Sequence, residues 1–439
     1  MTYLLSEEDG RMLQEVEGRC LTTTTNLYLW SALYEVKVQN IQQAKILREM
    51  ESQFVDVWSD AFPNRPGQVL VNKNMRKMFQ EALTSAGIEY TVLSDNILEQ
   101  ILLEEKLLAS SKGRSNNRNP RGGLSFDTIH EYDVVMDYIT ELGERYPDTV
   151  TVVDAGRSFE GRAIKYLKIS STNFQNQNKP IVYLESLLHA REWVTLPATL
   201  YAIEKLVIDV TEQDLIGDID WIINPIANPD GYVHTHQSAR FWRKNRATGY
   251  SVGDLCVGVD LNRNFDIFWS TASSNNACSD TFHGRGPFSE PETAIIRDII
   301  NEYGNRIELF LDIHSFGSMI LYGYGNGQFP ANSLAIHVAG VNMAQAIDAV
   351  KLPQKPNYIV GNVFLVLYAA SGSASDYGTG MGIPYSYTYE LPASLGNGNS
   401  LLGFMVNTDF IEQAGYETWE GIKNGARHAL DNWRRTRNM

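Results

Sequence analysis

Apolar residues recur at strand-like alternation and at helical spacing along most of the chain. Tyr34–Val38 alternates like a strand, and Gln68–Val71 and Ile88–Leu93 are two further short strand candidates. Between them, Met75, Met78, Phe79, Ala82 and Leu83 fall on one face of a helix. The order strand, helix, strand, strand, helix, strand predicts a small open sandwich of two helices on one sheet over residues 34–110. Its last part, Leu98–Leu108, reads as a connecting helix.

Residues 111–121 break the pattern. The run Ser111-Lys-Gly-Arg114-Ser-Asn-Asn-Arg118-Asn-Pro-Arg121 holds four basic residues and no acidic ones among Gly, Ser, Asn and Pro. Such a composition buries no core, so an exposed, mobile linker is expected. From 122 to 439 the chain reads as one larger unit. Apolar runs at Thr149–Val153, Ile181–Leu188, Trp221–Asn224, Leu309–Ile313 and Tyr385–Tyr389 alternate with helical stretches, and Thr128-Ile-His-Glu131 carries a capping-box signature. Strands apolar on both faces predict an α/β/α sandwich around a mostly parallel or mixed sheet.

Composition narrows the classes. With 439 residues, 43% hydrophobic and 11% aromatic, the chain has material for two or three folded domains. A net charge of −15 disfavours nucleic acid as a partner. No apolar run reaches the length of a transmembrane helix. Residues 1–33 have unclear status: Met1–Arg19 is charged and lacks the apolar stretch of a signal peptide, and Leu21–Val36 is only weakly apolar. Cys256 and Cys278 bracket a loop, as two free thiols or as a pair, and Cys20 is left over.

The chemistry gathers around His189-Ala-Arg-Glu192-Trp, just past the run Ile181–Leu188, and His314, which closes the run Glu308–Ile313. Two histidines and a glutamate at strand ends suit a zinc ion with an open coordination position. An H-x-x-E match alone is weak, since His189 could equally be a hydrogen-bonded strand-end residue. Three further clusters strengthen it: the basic run Arg240-Phe-Trp-Arg243-Lys-Asn-Arg246, the polar turn Gly258-Val-Asp260-Leu-Asn262-Arg263-Asn-Phe, and Tyr385-Ser-Tyr-Thr-Tyr-Glu390-Leu. A carboxylate inside an apolar strand is costly unless it is paired or working.

Through these motifs, with Asn228-Pro-Asp-Gly-Tyr232, His314-Ser-Phe-Gly and Tyr368-Ala-Ala-Ser-Gly, the chain resembles zinc metallocarboxypeptidases of the carboxypeptidase A/B type in their zymogen form. The resemblance covers roughly residues 34–439 and implies an eight-stranded catalytic sheet behind an activation domain. It implies one zinc ion on His189, Glu192 and His314, with Asp260 orienting His189 from behind. Glu390 is then the general base and Arg243 the oxyanion stabiliser. Asn262, Arg263 and Tyr368 would grip the substrate's terminal carboxylate, and Arg191 and Arg240 would contact substrate further out. The resemblance also pairs Cys256 with Cys278, which points to an oxidising compartment and a secreted protein; a monomer is expected. It leads us to expect cleavage by a trypsin-like protease after Arg118 or Arg121. Members that remove Lys or Arg carry an acid where Ser375 stands, so a neutral C-terminal residue is expected. Asp312, on the same side of its strand as His314, is the alternative route to a basic preference. A catalytically silent peptide-binding relative is the remote alternative; every catalytic position is present.

Overall fold

Strand alternation near the N-terminus serves two cores at once. The computed structural model describes residues 28–51, 55–63, 65–115, 123–393 and 402–437. Strands β1 (Ala32–Lys37), β2 (Val55–Ser59), β3 (Gly67–Val71) and β4 (Glu89–Ser94) form an antiparallel sheet in the order β2-β3-β1-β4. Tyr34 and Val36 face helices α1 (Ile41–Glu51) and α2 (Arg76–Ser85), packing on Leu47, Phe79 and Leu83. Leu33, Trp58 and Leu70 point the other way, against Phe241 and Phe404 of the larger unit. Both faces of β1 are therefore largely buried, which fixes its register.

The larger unit is built on eight strands: β5 (Val150–Arg157), β6 (Ala163–Ile169), β7 (Ile181–Ser186), β8 (Asp220–Asn224), β9 (Ile307–Ser315), β10 (Met319–Tyr322), β11 (Ile359–Asn362) and β12 (Tyr385–Leu391). Their order is β11-β10-β12-β9-β7-β8-β6-β5. The four pairs β11–β10, β12–β9, β9–β7 and β7–β8 are parallel and the other three antiparallel, so the sheet is mixed. β7, β8 and β9 are buried along their whole length. Between the strands run α4 (Tyr132–Arg145), α5 (Thr195–Val207), α6 (Gln213–Gly217), α7 (Pro229–Gln237), α8 (Pro291–Tyr303), α9 (Ser333–Asp348), α10 (Val363–Val366) and α11 (Ala374–Gly380). A 30-residue helix, α12 (Thr408–Arg437), follows. Residues α4, α5, α9 and α12 contribute join Leu309, Leu311 and Ile313 in one core; those of α8 and α11 join Phe310 in the other. Parallel central strands need this double cover.

Several local expectations differ. The connecting helix α3 runs Ile97–Ser115, so residues 111–115, the start of the basic linker, continue the helix. Ser111 is buried and its hydroxyl donates to the Leu108 carbonyl (3.0 Å), while Leu108 packs on the larger core, which prolongs the helix. Arg118 and Arg121 lie outside the described residues. The capping box does not form: the cap of α4 is Glu131, without a side-chain cap bond, and Thr128 is buried. Thr149–Val153 is not a buried strand but part of β5 at the sheet edge, only half-buried. Cys256 and Cys278 are joined by a disulfide spanning 22 positions. Closing a loop of that length stabilises the fold by about 3 kcal/mol on the chain-entropy model.

One buried acid makes stability pH-dependent. Glu292, near the start of α8, accepts from the Asn245 amide (3.2 Å), while its other oxygen has no hydrogen-bond partner among the described residues. Burial pushes its carboxyl up to about 8, and Glu290 adds to the rise. A folded pKa above the unfolded value of about 4.3 means that the neutral form belongs to the fold. Stability is lost as pH climbs through that window and the loss is complete above the folded pKa. Glu292→Gln should therefore leave the unfolding midpoint unchanged near pH 4 and raise it relative to the parent above pH 8. Thermal unfolding across that range tests this, and parallel curves for the two proteins contradict it.

Candidate metal and peptide site

β7 delivers the first half of the site and β9 the second. β7 stops at Ser186; Leu187 then takes a positive φ of 56°, and the chain turns so that His189 and Glu192 point back over the sheet end. The Ala190 N–H donates to the Arg243 carbonyl (3.0 Å), tying this turn to the basic run. His314 sits near the end of β9, on the same face as Phe310, and β12 sets Glu390 beside it in register.

The three ligand candidates converge. His189 Nδ1 lies 2.8 Å from Glu192 Oε1, His314 Nδ1 lies 3.0 Å from Glu192 Oε2, and the two Nδ1 atoms are 3.0 Å apart. All three side chains are buried. Two imidazole nitrogens this close, bracketed by one carboxylate, are lone pairs aimed at a common point, and the donor set is that of a three-ligand zinc site. The residues therefore fit the ion. Burial opposes the Glu192 charge, but His189 and His314 hold its carboxyl well below the usual range.

Behind the ligands, Asp260 is completely buried. Its Oδ1 is 3.0 Å from His189 Nε2, and its Oδ2 accepts from Arg243 Nη2 at 2.8 Å. Burial alone would push this carboxyl up, but Arg243 and His189 hold it far below the ordinary value. One acid thus orients a ligand and an arginine together. Glu390 reaches the same cavity, and burial pushes its carboxyl up to about 7, with Glu192 adding to the rise and His314 and Arg243 opposing it.

The cavity has a volume of about 590 Å³ and brings together His189, Glu192, His314, Arg243 and Glu390. Asn262, Arg263 and Tyr368 line it too. Arg263 Nη2 donates to the Tyr368 hydroxyl (3.3 Å). The loop after Tyr368 passes tightly over this turn: Gly372 has φ 71°, and a Cβ there would lie 2.4 Å from the Arg263 carbonyl oxygen. Ser375 is buried below the cavity, its hydroxyl 2.7 Å from that of Thr388, which lines it.

Three expectations need correction. Arg240 does not face the cavity: it is buried over the Trp193 ring and forms a bidentate pair with Glu104 of α3 (2.7 and 2.9 Å). Arg191 is likewise turned away, donating to Asp56 of β2 at 2.9 Å. Asp312 does not reach the pocket either, because its carboxylate is engaged by His314 Nε2 at 2.7 Å.

The sequence reading missed what the N-terminal unit contributes. Glu35, Asp60 and Arg65 line the cavity, and Arg48 stacks on Tyr368 with its guanidinium carbon 3.7 Å from the ring centre. Nothing in the local pattern marks Asp56 or Glu104, since partners more than a hundred positions away decide their roles. The Glu104–Arg240 pair is buried on both sides. Removing one partner of such a pair leaves an uncompensated charge, at a cost of about 3–5 kcal/mol. Glu104→Gln should destabilise the full chain by about that much in denaturant unfolding; a change below about 1 kcal/mol contradicts this account of the contact.

Comparisons with known proteins agree with this geometry. The sequence model of the family described as "Zinc carboxypeptidase" matches residues 135–421, and that of the "Carboxypeptidase activation peptide" matches residues 34–104. The chain is 43% identical over 411 residues to Carboxypeptidase B of Helicoverpa zea, covering 92% of this chain and 95% of that protein. It is 30% identical over 400 residues to Carboxypeptidase A1 of Bos taurus, covering 89% and 91%. The crystal structure of Carboxypeptidase A from Helicoverpa armigera superposes with a TM-score of 0.90 at 59% identity, covering 92% of this chain and 98% of that one. The chain belongs to the zinc carboxypeptidase family, as a metallocarboxypeptidase zymogen that carries the family's activation peptide ahead of the enzyme.

Proposed function

We propose that this chain is a secreted digestive-type procarboxypeptidase that, once cut, removes single neutral residues from the C-terminus of peptides and proteins. Residues 34–110 are its activation domain, 111–121 its basic linker and 122–439 its catalytic domain, and it acts as a monomer with one zinc ion. A trypsin-like protease cuts after Arg118 or Arg121. The disulfide suits an oxidising compartment. Among the described residues no helix is long and apolar enough to cross a membrane.

The observation that carries the reading is the convergence of the three ligand atoms on one cavity with Glu390, Arg243, Asn262, Arg263 and Tyr368. When bound, zinc supplies Lewis acidity at the ligand triad. Glu390 takes a proton from the attacking water and returns it to the leaving amine, a task for which a carboxyl poised near neutrality is suited. Arg243, held by Asp260, stabilises the negative charge that develops on the carbonyl oxygen. Arg263 and Asn262 grip the terminal carboxylate, and the Tyr368 hydroxyl closes over it.

The preference follows from the cavity's chemistry. Leu321, Val363, Leu367 and Ala370 line it, and the Ser375–Thr388 hydroxyl pair at its base carries no charge. A second reading, preference for C-terminal Lys or Arg, has the printed name of the Helicoverpa zea relative in its favour. Its route through Asp312 lacks support, because that carboxylate is spent on His314.

Trypsin treatment in the presence of zinc, followed by assay on blocked dipeptides ending in Phe, Leu, Lys and Arg, tests both readings. Release of Phe and Leu well ahead of Lys and Arg is expected; the reverse ranking selects the second reading, and no release from folded, cut protein overturns the first. In the same assay Glu390→Gln should lower kcat by about 10²–10⁴-fold, and unchanged turnover removes Glu390 from its role.

A further inference from the structure

β9 carries a second acid toward the ligand triad. Strand alternation places Asp312 and His314 on one face, and the register sets Asp312 between Glu185 of β7 and Thr388 of β12. Asp312 is completely buried, and its Oδ2 lies 2.7 Å from His314 Nε2. The Asn262 amide nitrogen is also near, 3.0 Å from that ring nitrogen and 3.3 Å from the same carboxylate oxygen. Its orientation is fixed, because the Ala374 N–H donates to Asn262 Oδ1 at 2.8 Å. The amide therefore presents N–H groups to this corner and accepts nothing there.

That leaves one arrangement of protons. His314 turns Nδ1 toward Glu192 and His189, so Nδ1 is the ligand atom and must carry a free lone pair. The ring proton then sits on Nε2, and its acceptor is Asp312. We propose that Asp312 is a positioning residue for the metal, holding His314 in the ligating tautomer and ring plane and slowing loss of the ion. Both histidines then have a carboxylate behind them. The two acids differ: Asp260 is shared with the Arg243 cation, whereas among the described residues the ion pair of Asp312 is with His314 alone. Among the described residues its other oxygen has no hydrogen-bond partner, and its bonded oxygen lies nearer to His314 Nε2 than to the Asn262 amide.

The inference rests on the proposed ligand set, and its test separates the two. Zinc affinity of the full chain is measured by competition with a chromophoric chelator, for the parent and for Asp312→Asn, alongside the unfolding midpoint of each metal-free protein. One tightly held ion in the parent is expected, with affinity about 10–100-fold weaker in Asp312→Asn and the metal-free midpoint not lowered. No zinc in the parent overturns the ligand set itself. One ion in both proteins with affinities within about twofold, or a weakening matched by a lower metal-free midpoint, overturns the role of Asp312 and leaves the ligand set standing. Should Asp312→Asn fail to fold, nitrogen NMR of the zinc-loaded parent decides: a hydrogen-bonded Nε2 proton on His314 supports the assignment, and a proton on Nδ1 overturns it.

Discussion

A single buried carboxylate holds the centre of this molecule together. Asp260 reaches His189 with one oxygen and Arg243 with the other, and its first oxygen also accepts the Asn262 N–H at 3.0 Å. A ligand candidate, an arginine and the turn bearing Asn262 and Arg263 therefore share one anchor. An acid without solvent persists as an anion only if such partners surround it. The geometry of the site is in this sense a by-product of satisfying one charge. The sheet beneath makes that possible: the ends of parallel β7 and β9 bring His189 and His314 to one spot, and β12 adds Glu390 in register.

The N-terminal unit closes the same site with complementary charge. Asp56 meets Arg191, Glu104 meets Arg240, and Arg48 lies on the Tyr368 ring. The first two are the arginines that the family resemblance reserves for substrate. In the proposed reading, the precursor is quiet because Glu35, Asp60 and Arg65 of the N-terminal unit line the cavity that a peptide would enter. Apolar contacts of Trp58 with Phe241 and Phe404 hold the cover in place. The connecting helix carries Glu104, so a cut beyond it would release this buried ion pair along with the cover.

Much of this was legible in the sequence, and the boundary of legibility has a physical basis. Runs apolar on both faces announced β7, β8 and β9, because parallel strands under two helix layers have no polar face to show. The site motifs were legible because each packs chemistry into a few neighbouring positions. Edge strand β5 was misjudged, since its half-buried residues look as apolar as buried ones until their neighbours are known. The capping box failed because Thr128 is taken into the interior, where packing outweighs a cap of about 1 kcal/mol. Asp312, Asp56, Glu104, Arg191 and Arg240 could not be assigned from local pattern. Alternation told which side Asp312 faces, but not whether substrate or His314 would meet it first.

All of this presumes that the convergent nitrogen and oxygen atoms of His189, Glu192 and His314 exist to share one divalent cation. X-ray data collected on either side of the zinc absorption edge, from crystals of the full chain grown without chelator, examine that directly. The account predicts one strong anomalous peak within about 2.0–2.2 Å of His189 Nδ1, His314 Nδ1 and a Glu192 oxygen. Zinc-supplied crystals with no peak there, and with the three side chains still in contact, would contradict it.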